Sequence, residues 1–399
     1  MKLSVISFTE AGIGLSKKIR DCFIDEVQEI ALYTKHKRFS SIREFNHGKK
    51  EDKKSTSNFF EDHIVENLPA CDSNVVSYVN ETLSQWTRER FLNHHGLIFI
   101  GACGIAVRAI APYVKDKLGD SPVLVIDEKG GFIIPILSGH YGGGNELAKV
   151  LAEKINATPV ITTATDVNGL FAVDVFAKQN NLVIINREGI ERISSSVLAG
   201  EEVTIAIYSD LPVPDLEGSL YAPIVPYKGC LPKELTFVSY SDERQVSILI
   251  SPFVADKGKA ILQLCPKGYI IGIGCRRGKS FEEIEKFIKQ EVVQLGIMWE
   301  AIIGIASIDR KKDEIGLVEF SKRYGLPFQT FTSGTLKKVE GEFRASSFVT
   351  EQVGVDNVCE RAAMAACQEN GKLVRKKTAF DGITVAIAEK KWSVIFDET

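Results

Sequence analysis

LIFIGACGIAVR, at residues 97–108, begins the stretch that decides the fold, because between residues 97 and 166 each apolar run is followed by a short polar motif. The apolar runs are LIFI (97–100), VLVI (123–126), FIIPIL (132–137) and PVI (159–161). The motifs are GACGIAVR (101–108), IDEKGG (126–131), LSGHYGGGN (137–145) and TTATD (162–166). Each run is typical of a buried strand, so the motifs are expected along one rim of a sheet, where open α/β sheets bind ligands.

Strands and helices alternate from residue 97 to residue 186 at the spacing of βαβ units, which predicts a Rossmann-like, mostly parallel sheet in the N-terminal region. A second α/β pattern begins at Tyr269, where an apolar strand leads into a helix that Ser280 caps, with Glu283 as its capping-box partner. The predicted domains are an N-terminal α/β domain (1–170), a middle region (171–265) and a separate, smaller C-terminal α/β domain (268–397).

The composition excludes several classes of protein. Lys and Arg number 49 against 52 Asp and Glu, and no basic stripe with interleaved aromatic residues occurs, so nucleic acid is not expected as a partner. No apolar run reaches the roughly 20 residues that span a bilayer, so no membrane contact is expected. The eight cysteines form neither a C-x-x-C pair nor a cluster with histidine, which predicts reduced thiols, no metal site and a cytoplasmic protein. The charged residues at 35–58 predict a mobile surface excursion, and the prolines at 212–232 predict irregular linking structure.

The glycine loop is the first candidate site. Gly142, Gly143 and Gly144 let the chain turn freely after a strand, and unpaired N–H groups at the start of the next helix favour an anion, including an oxyanion formed during acyl transfer. His140 lies at the mouth of this predicted pocket, where an imidazole with an ordinary pKa near ~6.5 can exchange protons with water or a leaving oxygen. The alternative is that the glycines only form a tight strand-to-helix connection and that His140 is an ordinary polar residue.

Two carboxylates and an arginine complete the N-terminal candidates. Asp127 and Asp166 follow strands, where a carboxylate can orient a histidine or act as a base, although Asp also forms turns well. Arg108 is placed to hold a substrate carboxylate through a two-pronged hydrogen bond. Its alternative role is to pair with Asp127 or Asp166 for structural reasons.

The C-terminal region carries a second group of candidates. In GIGCRRG (272–278) the last glycine comes one residue too late for a dinucleotide fingerprint, which weakens a nicotinamide-binding interpretation. Arg276 and Arg277, beside a helix start, instead indicate a site for a multiply anionic ligand, unless they are solvated residues of a turn. Ser307 follows the run IIGIA and is a candidate substrate contact, with helix capping as its alternative role.

The ordered set of motifs resembles one known family. GxxGIAVR, DExGG, LSGHxGGxN, TTATD, GIGCRRG, ASxDxKxxE and TVAIA resemble the cobalt-precorrin-5A hydrolases of anaerobic cobalamin biosynthesis, over about residues 101–166 and 270–388. The middle stretch, residues 168–265, is similar only in length and general character. Gly144 departs from the alanine expected there, which should loosen the loop.

The resemblance implies hydrolysis of the ring A δ-lactone of a cobalt-bearing corrinoid precursor, with release of a two-carbon fragment as acetaldehyde. By position, His140, Asn145, Asp166, Arg108 and the glycine loop correspond to the family motifs. On chemical grounds we expect His140 to activate water while Asn145 and the loop amides stabilise the oxyanion, with Asp166 a candidate partner of the base. No cofactor is expected, because cobalt belongs to the substrate. The expected partners are that corrinoid and, transiently, neighbouring pathway enzymes.

Two other functions fit part of the pattern. A non-catalytic tetrapyrrole carrier of the same pathway needs the arginines but not His140, so replacement of His140 separates it from a hydrolase. A nucleotide-dependent oxidoreductase fits the Rossmann-like pattern and predicts binding of NAD(P)H.

Overall fold

The computed structural model describes residues 1–23, 29–37, 76–116, 118–208, 227–240, 245–256, 258–345, 351, 354–368 and 371–396. Most of the predicted surface excursion at 35–58 lies outside these residues, as does the part of the proline-interrupted segment before residue 227. The chain divides into two compact units, Met1–Gly169 and Leu170–Thr399. The three domain boundaries given above stay a prediction. Among the described helices, none combines the length and apolar character needed to cross a bilayer.

The first unit contains seven described strands and five described helices. The strands are β1 (Lys2–Ser7), β2 (Glu29–Thr34), β3 (Val76–Tyr78), β4 (Gly96–Ile100), β5 (Val123–Ile126), β6 (Phe132–Leu137) and β7 (Thr158–Pro159). The helices are α1 (Glu10–Phe23), α2 (Leu83–Leu92), α3 (Cys103–Ile110), α4 (Gly144–Ile155) and α5 (Ala164–Val167). The strands form one sheet in the order β3-β2-β1-β4-β5-β6-β7, and every neighbouring pair is parallel except β5 and β6.

Helices cover both faces of this sheet, and this explains why the residues of β4 are all apolar. Ile98 and Ile100 point to one core, shared with α1 and α4. Leu97 and Phe99 point to the other core, shared with α2 and α3. Because alternate side chains of a strand point to opposite faces, a strand covered on both sides needs a continuous apolar run. The predicted α/β class is therefore confirmed for this unit.

The strand direction reverses between β5 and β6, which pair antiparallel. Ile126 pairs with Ile133 and Val123 pairs with Leu137, so β6 returns alongside β5 as the second strand of a hairpin. The loops after β4 and β5 therefore lie at one rim, and the glycine loop after β6 lies at the opposite rim. The chain after β7 continues along β6, since the Val160 amide donates to the Ile133 carbonyl, and it too heads for the opposite rim. The expectation of one shared rim is wrong, because the four motifs divide into two pairs.

In the described residues of the second unit, twelve strands, six α-helices and two 3-10 helices have defined bounds. The strands are β8 (Val183–Ile184), β9 (Val203–Ile207), β10 (Tyr227–Lys228), β11 (Leu235–Phe237), β12 (Val246–Ile250), β13 (Ala260–Cys265), β14 (Tyr269–Cys275), β15 (Ile302–Ile308), β16 (Phe328–Phe331), β17 (Lys372–Phe380), β18 (Ile383–Glu389) and β19 (Val394–Ile395). The α-helices are α6 (Val173–Gln179), α7 (Glu188–Ala199), α8 (Phe281–Gln294), α9 (Ile315–Tyr324), α10 (Ser333–Lys337) and α11 (Cys359–Cys367). Short 3-10 helices occupy Trp299–Ala301 and Asp309–Lys311.

These strands form two five-stranded sheets and one short pair. The order β11-β9-β12-β13-β8 makes a sheet of the middle region, parallel except for β8, and the order β16-β15-β14-β18-β17 makes the sheet of the C-terminal region. The predicted capping box is present: the Ser280 hydroxyl accepts from the Glu283 amide, and the Glu283 carboxylate accepts from the Ser280 amide. Strands β10 and β19 pair separately.

Glu389 is a partly buried carboxyl group at the end of β18 in the second unit. Its Oε1 accepts hydrogen bonds from the Tyr269 hydroxyl at 3.1 Å and from the Trp392 indole at 3.2 Å. Burial raises the pKa of Glu389, and these two donors, with Lys372, offset that rise only in part. Ionisation of this carboxyl therefore destabilises the folded state.

Glu389→Gln is expected to leave stability at neutral pH unchanged or to raise it, because an amide oxygen can still accept from Tyr269 and Trp392. The folded-state pKa lies above the unfolded value, so this group's favourable contribution is complete below the unfolded pKa and is lost as pH rises through the folded pKa. Urea unfolding from about pH 4 to about pH 8 should therefore show that the free energy of unfolding of the variant, relative to that of the wild type, increases as pH rises.

Glu283→Gln is the control, because its effect on stability should change with pH in the opposite direction. The Lys279 ammonium and the Ser280 amide lower the pKa of Glu283 to about 2. The stabilising contribution of ionised Glu283 is present above its unfolded pKa and is lost as pH falls. The free energy of unfolding of this variant, relative to that of the wild type, should therefore decrease as pH rises through the acid range. Parallel pH profiles for the two variants would contradict both assignments.

Candidate active site

The glycine loop, residues 138–143 between β6 and α4, is closed by its own backbone. The Gly143 amide donates to the His140 carbonyl at 2.8 Å, the Gly144 amide to the Ser138 carbonyl at 3.0 Å, and the Asn145 amide to the Gly139 carbonyl at 2.8 Å. Of the loop amides expected to be open to an anion, those of Gly143 and Gly144 are therefore engaged in this conformation. Gly142 is needed for packing, because a Cβ there would lie 2.4 Å from the Cβ of Ser138. The loop therefore matches the alternative in which the glycines only form a tight connection from strand to helix.

His140 and Asp166 form a hydrogen-bonded pair at this rim. His140 Nε2 lies 2.6 Å from Asp166 Oδ2, and the Thr165 hydroxyl lies 3.1 Å from the same nitrogen. The pair forms because the chain after β7 runs along β6 and brings TTATD beside the glycine loop. Its side chains are 11% and 20% exposed, so the pair is partly shielded but open to solvent. A carboxylate on one ring nitrogen orients a histidine for proton transfer at the other.

Asn145 holds the carboxylate of this pair. Its Nδ2 donates to Asp166 Oδ2 at 2.8 Å and to Thr163 Oγ1 at 3.0 Å, and the residue is buried. A primary amide has two hydrogens, and both are now engaged. The close fit of this side chain also explains Gly139, where a Cβ would lie 2.4 Å from Asn145 Oδ1. As found, Asn145 positions Asp166 and has no hydrogen left for an oxyanion, contrary to the role expected from sequence.

Lys149 is a member of the site that the sequence analysis missed. Its Nζ lies 3.5 Å from Asp166 Oδ1, and its side chain is 49% exposed. The sequence did carry a signal, because Lys149 follows Asn145 by four residues in α4 and therefore lies on the same face of the helix. Thr163 and Thr165 were also missed, although both lie within TTATD.

The structure does not bring Asp127 or Arg108 to this pair. Both carboxylate oxygens of Asp127 accept backbone amides of the β5–β6 turn, Lys129 at 2.9 Å and Phe132 at 2.6 Å, which is the turn-forming alternative. Arg108 is exposed on α3, and its guanidinium donates to the Gly104 carbonyl at 3.2 Å. Within the described residues it forms no ion pair with Asp127 or Asp166.

The C-terminal candidates lie in the second unit and differ in exposure. Arg276 and Arg277 are exposed in the turn after β14, where the Arg276 amide donates to the Gly382 carbonyl. Ser307 lies inside β15 and not after it. It is fully buried, and its hydroxyl donates to the Ile273 carbonyl at 2.7 Å, so neither a substrate contact nor a helix cap fits this conformation.

The charged residues next to these arginines are already paired. Lys279 contacts Glu283 and Asp381, each at 2.8 Å, and Lys311 contacts Glu314 at 2.8 Å. Burial acts to raise the pKa of Glu314, but Lys311 and the Gly278 amide lower it overall. Arg276 and Arg277 are therefore the cations of this turn that remain exposed. In the described part of the chain, no group of three or more His, Cys, Asp or Glu side chains is arranged to hold a metal ion.

Comparisons with known proteins give consistent family matches along the chain. Three family models match it in succession: Cobalamin synthesis G N-terminal over residues 85–166, Cobalamin biosynthesis central region over 171–266 and Cobalamin synthesis G C-terminus over 269–388. A cobalt-precorrin-5A hydrolase of Salmonella typhimurium is 33% identical over 305 residues, which are 75% of this chain and 83% of that protein. A cobalt-precorrin-5A hydrolase of Priestia megaterium is 34% identical over 310 residues, 74% of this chain and 79% of that protein. The chain therefore belongs to the cobalt-precorrin-5A hydrolase family of cobalamin synthesis G proteins.

Proposed function

We propose that this protein hydrolyses the ring A δ-lactone of cobalt-precorrin-5A and releases acetaldehyde, giving cobalt-precorrin-5B. The two relatives described above are each named as a cobalt-precorrin-5A hydrolase. The observation that carries the proposal here is the His140–Asp166 pair, at 2.6 Å and open to solvent, in the segment that the N-terminal family model matches. Such a pair is suited to proton transfer during ester hydrolysis.

The first step is addition of water to the lactone carbonyl. The water oxygen bonds to the carbonyl carbon, its proton passes to the His140 nitrogen that does not face Asp166, and the carbonyl electron pair moves onto oxygen. When the oxyanion collapses, the ring C–O bond breaks and the imidazolium returns the proton to the departing alkoxide. The Asp166 carboxylate stabilises the imidazolium that exists between these two transfers.

The second step breaks the carbon–carbon bond of the freed alcohol. Transfer of the hydroxyl proton to the His140 imidazole, which is neutral again after the first step, gives an alkoxide. Its electron pair forms the aldehyde carbonyl as the bond to the macrocycle breaks. The conjugated ring accepts the bonding pair and is then protonated, so acetaldehyde leaves without an oxidant or reductant. We propose that cobalt enters only as part of the substrate and that the protein supplies no cofactor. Arg108 in the first unit remains a candidate contact for a substrate carboxylate, because it is exposed. Arg276 and Arg277 in the second unit remain candidates for a multiply anionic ligand for the same reason.

The test is anaerobic incubation of the protein with the lactone-containing cobalt intermediate, followed by mass spectrometry of the corrinoid and an aldehyde assay. The expected result is loss of the two-carbon fragment from the corrinoid and an equal amount of acetaldehyde. A bound corrinoid of unchanged mass would contradict the proposal and would favour the carrier hypothesis.

A further inference from the structure

The hydrogen-bond donors of the active site are mostly engaged within the protein. The amides of Gly143, Gly144 and Asn145 donate to loop carbonyls, and both side-chain hydrogens of Asn145 are used on Thr163 and Asp166. An oxyanion needs donors aimed at the position where negative charge develops. The donor set that the sequence suggests for this task is therefore largely committed to holding the loop and the carboxylate.

Lys149 differs from these donors in three respects. Its Nζ lies 3.5 Å from Asp166 Oδ1, which is longer than a charge-assisted hydrogen bond of about 2.7 to 2.9 Å, so the ammonium keeps donors available. Its side chain is half exposed and flexible. Among the described residues, it is a lysine in contact with Asp166. The ammonium contacts Asp166 Oδ1 and the imidazole contacts Asp166 Oδ2, so the two groups share one carboxylate.

We propose that Lys149 is a catalytic residue whose ammonium donates a hydrogen bond to the oxyanion formed at the lactone carbonyl. This assignment rests on the proposed function and adds the electrophilic group to it. The ammonium neutralises the oxygen that receives the carbonyl electron pair and keeps its own proton throughout. Asn145 is then a positioning residue, which acts through Asp166.

The test compares Lys149→Met, Lys149→Arg and the control Lys154→Met, which removes a positive charge from the same helix. Lys149→Met should lower kcat by about 100-fold to 1,000-fold, the usual effect of losing one oxyanion donor. Lys149→Arg should retain part of the activity because the charge remains, and Lys154→Met should leave kcat unchanged. Thermal unfolding should be similar for the wild type and the two Lys149 variants, because an exposed ion pair contributes little stability.

A double-mutant cycle with Asp166→Asn separates this role from its rivals. If Lys149 acts on the oxyanion, Lys149→Met should cause a comparable further loss of kcat in the Asp166→Asn background. No further loss would overturn the assignment, because Lys149 would then act only by positioning Asp166. A raised KM with unchanged kcat would also overturn it, by making Lys149 a contact for a remote carboxylate. An active wild type with an unaffected Lys149→Met variant overturns this inference alone, whereas an inactive wild type overturns the proposed function as well.

Discussion

His140→Asn is expected to reduce acetaldehyde release by about 10³-fold to 10⁴-fold while corrinoid binding persists. In the proposed mechanism the wild-type imidazole, which lies 2.6 Å from Asp166, exchanges a proton with water and with the departing oxygen. Asparagine keeps a polar side chain beside the carboxylate but cannot transfer a proton near neutral pH. Turnover is measured by an anaerobic aldehyde assay, and binding by titration of the corrinoid absorbance.

His94→Asn provides a matched control. His94 is exposed and has a φ of 56°, a left-handed conformation that asparagine tolerates well. This variant should turn over like the wild type. Two results would refute the assignment of His140: full activity of the His140 variant, or a loss of binding as large as its loss of turnover.

Gly272→Ala should lower the free energy of unfolding by about 3 kcal/mol or more. A Cβ at this position of β14 would lie 1.9 Å from the carbonyl oxygen of Cys359 and 2.9 Å from the Cβ of Ala363, both on α11. Neither a central strand nor a buried helix can move by the required distance without opening the core between them. The midpoint of urea unfolding gives the measurement.

Gly14→Ala is the control for the same chemical change. Gly14 is exposed in α1 with no atom within 4 Å of the added Cβ, so alanine should stabilise by about 0.5 to 1 kcal/mol. An unfolding midpoint for Gly272→Ala equal to that of the wild type would contradict the packing argument. The same contact explains the first glycine of GIGCRRG, Gly272. It allows a helix to pack closely on β14 and gives no support to a dinucleotide site.

The sequence predicted the α/β class and named His140, Asp127 and Asp166 as candidates because these depend on local patterns, but it left open which carboxylate assists His140. Apolar runs and glycine turns mark the strand ends, and two of the motifs do meet at one rim. The reversal at β6 was missed, although five residues separate VLVI from FIIPIL and a parallel connection needs about a dozen. That spacing, with Asp127 and the left-handed Gly130 in the turn, was a readable sign of a hairpin.

The remaining features depend on tertiary contacts that no local pattern contains. Ser307 looks like a loop residue, because its polar side chain follows IIGIA, but the neighbouring strand supplies the Ile273 carbonyl that lets it stay in β15. The role of Asn145 also changed once its two acceptors, Thr163 and Asp166, were known. A donor near a predicted oxyanion can be assigned only after its existing partners have been counted.

The self-bonded loop after β6 has a consequence for how substrate is received. Because the amides of Gly143, Gly144 and Asn145 donate to loop carbonyls, and Asn145 already fixes Asp166, the proton-transfer groups are assembled when the protein folds. An incoming macrocycle then loses no affinity to ordering of this loop, and its binding energy can go to alignment of the cyclic ester. Preorganisation of this kind favours a rapid first chemical step.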